Sequence, residues 1–378
     1  MKRLFCLILV CFFVCIKPVY VNALSVSAEC ACVIDAATGR VIYERNMAKQ
    51  HTMASTTKIM TALVALENSE LDKVVTVSKN AAGKEGTSLY LRAGQKVTME
   101  DLLYGLMLQS GNDAAVAIAE GVSGSVEDFA HLMTERAKKI GAVNTSFKNP
   151  NGLDEEGHFT TAYDLAIITK EAMNNPKFSE IVSTKSKTII DGTQTVSNHN
   201  KMLRMYEGCI GVKTGFTKKS GRCLVTAAER NGVKIIAVTL NAPNDWNDHR
   251  TMLDYGFETT EYFPVILKGM TVNSVPVVGG SAVSVGVKAT EDFYISENKD
   301  EKLKNITVEC NLPSQITAPV KEGDVVGKMT ILYKNIPQKT IELVAENSVE
   351  YNVERAGFFE NFKKLLTYGC EFKKNIVK

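Results

Sequence analysis

Ser55 stands three residues before Lys58 in the stretch MASTTKIM, residues 53–60. A serine hydroxyl is a weak nucleophile at neutral pH and needs a base within hydrogen-bond reach. On a helix, residues i and i+3 share a face, so this spacing can set the lysine amine beside the hydroxyl. Lysine serves as a base only when burial or nearby positive charge lowers its pKa. A helix N-terminus adds positive potential, which also favours an alkoxide. The spacing alone is weak. A chain of this length holds roughly one or two Ser-x-x-Lys by chance, and Ser296–Lys299 is a second instance.

A nucleophile of this kind needs partners that handle the leaving group and hold the substrate. Ser110-Gly111-Asn112 falls where a helical pattern breaks, a place from which side chains can enter a cleft. Lys213-Thr214-Gly215 closes a strand-like run. Its lysine and threonine can bind a carboxylate, and its glycine lets a ligand backbone come close. Each triplet is common by itself. The three in this order, each in a fitting local context, single out Ser55–Lys58 over Ser296–Lys299, which has no such partners.

The elements that must position these residues are legible in outline. Two β-rich runs flank Ala37-Thr38-Gly39 and read as a hairpin. MASTTKIMTALVALENSE reads as a helix with Met60, Leu63, Val64 and Leu66 on its apolar face and Ser55 and Lys58 in its first turn. Helical patterns continue on either side of QSGND, through SVEDFAHLMTERAKKIGA, and in AYDLAIITKEAMNN up to Pro176. From about residue 180 the pattern turns to strands, with Asn231-Gly232 as a two-residue turn, and DHRTMLDYGFETT returns to helix. Strands, a helical block, strands and a helix predict an α+β domain, an antiparallel sheet flanked by helices. Residues 263–350 are rich in Val, Thr, Ile and Gly in short alternating runs, which predicts a small all-β domain.

Ser-x-x-Lys, Ser-x-Asn and Lys-Thr-Gly are a motif set shared by penicillin-binding proteins and class A β-lactamases. The sequence resembles the low-molecular-mass penicillin-binding proteins, the serine-type D-alanyl-D-alanine carboxypeptidases. The likeness covers nearly the whole mature chain and extends to DAATGRVIYERN, NPNGL and LDYGFETT. It implies a penicillin-sensitive enzyme without cofactor that removes the terminal D-alanine from peptidoglycan stem pentapeptides. Ser55 would be acylated, Lys58 would take its proton, and Ser110 would relay a proton to the leaving D-alanine. Asn112 would bind the substrate's peptide chain. Lys213 and Thr214 would hold the terminal carboxylate beside Gly215, with the Ser55 and Phe216 N–H groups as oxyanion hole. β-Lactam antibiotics would be covalent inhibitors. A D,D-endopeptidase acting on cross-links is the alternative, since it would use the same acyl-enzyme. A β-lactamase fits less well. Glu171 and Asn175 match the Glu-x-x-x-Asn of class A enzymes, but they end a continuous helix and lie too near Lys213 for that layout.

Composition and termini bound the rest. The 378 residues are 45% hydrophobic with a net charge of +2, which suits packed cores and argues against a nucleic-acid binder. Residues 1–23 carry Lys2 and Arg3, an apolar run from Leu4 to Ile16, and a cleavage-like end at Val21 and Ala23, with Val26 and Ala28 as a second option. They read as a signal peptide, so the mature chain is expected outside the cytoplasm, at the membrane or cell wall. Three of the nine cysteines fall in that segment, and the rest are too sparse for a disulfide scaffold. One bridge between Cys209 and Cys223 is an option beside the reading as buried thiols. The scattered histidines form no metal motif. In residues 351–378, Phe358, Phe359, Phe362, Leu365, Leu366, Phe372 and Ile376 recur at helical spacing. From Arg355 onward, Lys363, Lys364, Lys373, Lys374 and Lys378 join it in outnumbering Glu360 and Glu371. This reads as a basic amphipathic helix lying on a membrane surface.

Overall fold

A computed structural model describes residues 24–230, 232–298 and 305–352. The expected signal peptide, Lys299 and the terminal amphipathic segment from 353 lie outside the described residues. Strands β1 (Cys30–Asp35) and β2 (Val41–Arg45) form the opening hairpin. Its turn is held by Asp35, whose carboxylate accepts from the Thr38 N–H and hydroxyl. A 3-10 turn, Ala54–Thr57, leads into α1 (Lys58–Asn68). The short strands β3 (Val74–Thr76) and β4 (Lys96–Thr98) precede α2 (Met99–Tyr104), a π-helical turn at Gly105–Gln109 and α3 (Asn112–Ser123). Next come α4 (Val126–Lys139), α5 (Ala162–Met173), α6 (Pro176–Ser183), β5 (Ser186–Ile189), β6 (Gln194–Ser197) and α7 (Met202–Met205). Strands β7 (Cys209–Thr217), β8 (Gly221–Arg230) and β9 (Val233–Leu240) then lead to α8 (Asp245–Thr259).

The main sheet is antiparallel, in the order β2-β1-β9-β8-β7. Its central strands are apolar on both faces, because helices cover both. The larger core lies on the α1–α6 side, and α8 closes the other face with Met252 and Leu253. Helix α1 runs through the middle of the larger core. Sequence periodicity predicts one apolar face for it, but Lys58 through Ala65 are all buried. Polar Thr61 is therefore inside too, and it donates to the Pro150 carbonyl at 2.6 Å.

Helix α8 runs straight into β10 (Thr260–Ile266), which pairs with β13 (Phe293–Asn298). The rest is a six-stranded sheet in the order β14-β16-β17-β12-β11-β15, built from β11 (Thr271–Val278), β12 (Ser284–Ala289), β14 (Ile306–Asn311), β15 (Ile316–Thr317), β16 (Val325–Tyr333) and β17 (Ile336–Ala345). It has its own core around Val287, Met329, Ile331 and Leu343. The Tyr262 hydroxyl donates to Asp35 at 2.9 Å, tying β10 to the opening hairpin. Among the described residues no helix is long and apolar enough to cross a membrane.

Candidate active site

Ser55 lies in the 3-10 turn that feeds α1, one turn earlier than the α-helical first turn expected from spacing. Ala54 before it takes a left-handed φ of 47°, a conformation uncommon outside glycine. Lys58 is the first residue of α1 and has no solvent exposure. Its Nζ lies 2.9 Å from Ser55 Oγ, 2.7 Å from Asn112 Oδ1 and 2.6 Å from the Asn151 carbonyl. Burial, reinforced by the charge of Lys213, holds the Lys58 amine well below its ordinary pKa, against a smaller opposing pull from Asp113. The geometry then fixes where a neutral amine keeps its lone pair. Asn112 Oδ1 and the Asn151 carbonyl can only accept, so they take the two N–H bonds. Ser55 Oγ alone of the three can donate, and the lone pair faces it.

The parts that hold this pair in place come from three loops. Gly152, at φ +87°, lets the 149–153 loop press on the turn. A Cβ there would sit 1.9 Å from the Ala54 carbonyl oxygen. Behind it, His158 is buried against Thr57, with Nε2 2.8 Å from the threonine Oγ1 and Nδ1 accepting from the Lys148 N–H. That acceptor role places the ring proton on Nε2, and burial lowers this histidine to about 4. Besides receiving Lys58, Asn112 donates from Nδ2 to the Glu85 carbonyl at 2.7 Å. That uses one of the two amide hydrogens. Next to it, buried Asp113 accepts from Ser88 Oγ and from the N–H groups of Leu89 and Leu91. These bonds pin the 85–91 segment along the rim.

The break predicted at QSGND is real, and it has a definite shape. Helix α2 widens into the π-helical turn and stops at Ser110, which is left-handed at φ 65°. Ser110 makes no side-chain hydrogen bond among the described residues and lines the same cavity as Ser55. This cavity, of about 380 Å³, is also lined by Thr214, Gly215 and Phe216. They lie on β7, the edge strand of the sheet. An edge strand offers unpaired backbone N–H and C=O groups to an extended peptide. Gly215 lets β7 approach the nucleophile, since a Cβ there would meet the Ser55 and Thr56 nitrogens at 3.0 and 3.1 Å.

Lys213 shares the Gly215 face of β7, the face that meets the Ser55 turn. It is 1% exposed and donates to the Thr214 carbonyl at 2.9 Å. Burial alone lowers it to about 7. The cavity is completed by residues that sequence motifs did not mark, among them Thr87, His199, Lys201, Arg222, Asp245 and Trp246.

The rejected alternatives lie elsewhere. Glu171 is bound to Arg136, which also holds Glu67. Ser296 is on β13 opposite Tyr262, in the second domain. Cys209 and Cys223 are both free thiols. In the β7–β8 register Cys223 faces Gly215 while Cys209 faces Ala228. At about 3.4 Å per residue that offset puts the two thiols well beyond disulfide reach.

Comparison with known proteins points the same way as the site. A family profile described as D-alanyl-D-alanine carboxypeptidase matches residues 17–244. A second, described as the C-terminal domain of penicillin-binding protein 5, matches residues 257–351. The chain is 33% identical over 365 residues to the D-alanyl-D-alanine carboxypeptidase DacF of Bacillus subtilis (strain 168), covering 93% of this chain and 92% of that one. It is 34% identical over 357 residues to DacC of Escherichia coli (strain K12), covering 90% and 87%. Among solved structures, penicillin binding protein 5 from Haemophilus influenzae superposes with a TM-score of 0.64 at 27% identity, over 87% of this chain and 99% of that one. PBP3 from Streptococcus pneumoniae, a peptidoglycan synthesis regulatory factor, gives 0.73 at 27% identity, over 86% and 100%. With a lysine lone pair aimed at a serine and relatives matched along nearly their full length, the chain belongs to the D-alanyl-D-alanine carboxypeptidase family of penicillin-binding proteins.

Proposed function

We propose that the protein releases the terminal D-alanine from peptidoglycan stem peptides through an acyl-enzyme on Ser55. The observation that carries this reading is the 2.9 Å contact between Lys58 Nζ and Ser55 Oγ, with the other two Nζ partners able only to accept. Lys58 takes the hydroxyl proton as Oγ attacks the carbonyl of the penultimate D-alanine. The peptide lies along the free edge of β7. The tetrahedral oxyanion is met by the N–H groups of Ser55 and Phe216, at the positive end of the turn and α1. Ser110 relays to the departing amine the proton that Lys58 took, and is itself left protonated. Water then attacks the Ser55 ester and restores the enzyme. Asn112 acts by orienting Lys58 and the 85–87 segment, and Thr214 offers its hydroxyl to the peptide end. A β-lactam carbonyl meets the same attack, and its opened ring stays on Ser55.

The chain is further proposed to be exported by residues 1–23 and to rest on the outer face of the cytoplasmic membrane through its basic amphipathic terminus. The test of the chemistry is D-alanine release from a defined stem pentapeptide. Wild type should release it and also be labelled by a fluorescent penicillin. Ser55→Ala should do neither, with a loss of roughly 10⁴-fold or more, while Ser296→Ala keeps both. Equal release by wild type and Ser55→Ala would sink the mechanism.

A further inference from the structure

Between Lys268 and Lys288 the chain carries no charged residue. This stretch forms the β11–β12 hairpin of the second domain. Behind the hairpin tip lies a small separate core that includes Val277, Val285 and Val349. The apolar rows do not stop where that core does. Two residues before buried Val285, Val283 is 70% exposed, and two residues after buried Val349, Tyr351 is 58% exposed. Val278 adds a third side chain, also exposed. Exposed hydrophobics scattered singly are ordinary. Here three are gathered on one tip, which marks an interaction surface. The Val277 N–H donates to the Val283 carbonyl at 2.9 Å, closing the hairpin beside Val278, and Gly280 forms a bridge with Tyr351.

The tip is fastened to the place where the chain leaves the domain. The Ser281 N–H donates to the Glu350 carbonyl at 2.7 Å, and the Asn352 N–H donates to the Gly279 carbonyl at 2.9 Å. Gly280 is seated so closely that a Cβ there would meet side-chain carbons of Val349 and Val277 at 2.7 and 2.9 Å. Residues 350–352 are the last described before the basic, aromatic-bearing stretch 353–378.

We infer that this tip is a second membrane contact, in which Val278, Val283 and Tyr351 enter the lipid interface beside the start of the terminal segment. The inference rests on the membrane-resting terminus proposed above. A segment lying in the interface from residue 353 brings Asn352 to the headgroups, and the tip is bonded to Asn352. The valines supply apolar area. Tyrosine, with an apolar ring and a polar end, suits the boundary between lipid and water. Glu350 meets the tip through its carbonyl. Because the tip is already formed, little ordering has to be offset on contact. With no charge of its own, it binds by the hydrophobic effect and answers little to salt, unlike the basic terminus. Two attachment points restrict how the domain tilts on the membrane, where one would leave it free to pivot.

The test uses the chain from residue 24 onward and vesicles of phosphatidylcholine and phosphatidylglycerol. Trp246 is the only tryptophan, so Trp246→Phe gives a silent background for Val283→Trp. Vesicles carrying brominated lipid should shift its emission to the blue and quench it. Val308→Trp in the same background, on the far edge strand β14, should show neither change. Val278→Ser, Val283→Ser and Tyr351→Ser combined should weaken vesicle partition by roughly 5- to 50-fold, the worth of partly burying three such side chains. The factor should persist in high salt, and the variant should melt as wild type does. Vesicle binding without quenching at 283, equal quenching at 283 and 308, or unchanged partition of the triple variant would overturn the inference and leave the terminal anchor standing. A wild type that does not bind vesicles at all would instead fell the anchor, and this contact with it. Emission already blue without vesicles would also overturn it. If deleting 353–378 then reverses the shift, the patch is covered by the chain's own terminus, and if dilution reverses it, by a second copy.

Discussion

The two walls of the cleft each bury a lysine, and they bury it for different ends. On the helical wall, Lys58 sits in a polar cage of three oxygens, one of them the nucleophile. On the strand wall, Lys213 is buried with one hydrogen-bond partner among the described residues, the Thr214 carbonyl. Both amines are depressed by burial, but only Lys58 is further lowered by the charge of its neighbour, which is Lys213. Two adjacent buried lysines cannot both stay charged at low cost. Charge is better kept on Lys213, which leaves Lys58 neutral and basic toward Ser55. The helical wall does the chemistry, and the strand wall supplies field and recognition.

The sharpest way to break this division is to remove the base. Lys58→Met and Lys58→Arg should each lower Ser55 acylation by roughly 10²- to 10⁴-fold. Arginine fails despite its charge because it does not deprotonate. Wild-type acylation should fall on the acid side as Lys58 takes a proton, with the midpoint well below 10.5 because the amine is lowered from that value. Both variants should lose this limb. Stopped-flow labelling with a fluorescent penicillin across pH 5–9 measures all three proteins, and an unchanged acid limb in Lys58→Met would reassign the base.

A second test asks whether the helical wall depends on close backbone contact. Gly152→Ala should destabilise the protein by ~3 kcal/mol or more, from positive φ and collision with the Ala54 carbonyl together. It should slow acylation as well, since the Asn151 carbonyl moves with it. Gly83→Ala is the control: φ is +80° there, but nothing lies within 4 Å of the added carbon. Its loss should stay near 1 kcal/mol. Thermal melts of the pair separate turn strain from contact, and equal losses would reduce Gly152 to an ordinary turn glycine.

The same division explains what the sequence could reveal. Ser55, Lys58, Ser110 and Thr214 were legible because their chemistry requires those side chains at short, fixed spacings. The antiparallel sheet with flanking helices followed from periodicity, and the all-β region after α8 from its short alternating runs. Asn151 was not legible as a site residue, since it contributes a carbonyl that any residue would supply. The burial of Lys213 depends on which face of β7 packs against the Ser55 turn, a long-range contact with no local signal. The bond from Asn112 to Glu85 was not legible either, since Glu85 contributes only its carbonyl. Arg222 and Asp245 are joined by β8 packing on α8, a contact across 23 positions with no local signal.

The strand wall yields the finest test. In the folded protein Lys213 titrates near about 7 against 10.5 for a free lysine. Between those values the unfolded chain binds more protons than the native one, so stability rises with pH through the window. The penalty is complete below about pH 7 and gone above 10.5. Lys213→Met removes it, so the variant should be more stable than wild type at pH 6–7, by up to a few kcal/mol. Loss of the bond to the Thr214 carbonyl offsets part of that gain. The difference should shrink steadily toward pH 10. The same substitution withdraws the charge that helps to depress Lys58, so the acid limb of acylation should move to higher pH and activity at pH 7 should drop. Denaturant melts over pH 6–10 and the acylation profile read the two effects on one variant. A stability gain without a shifted limb would show that Lys213 is merely a costly buried lysine. A shifted limb would establish that the strand wall tunes the base on the wall across from it.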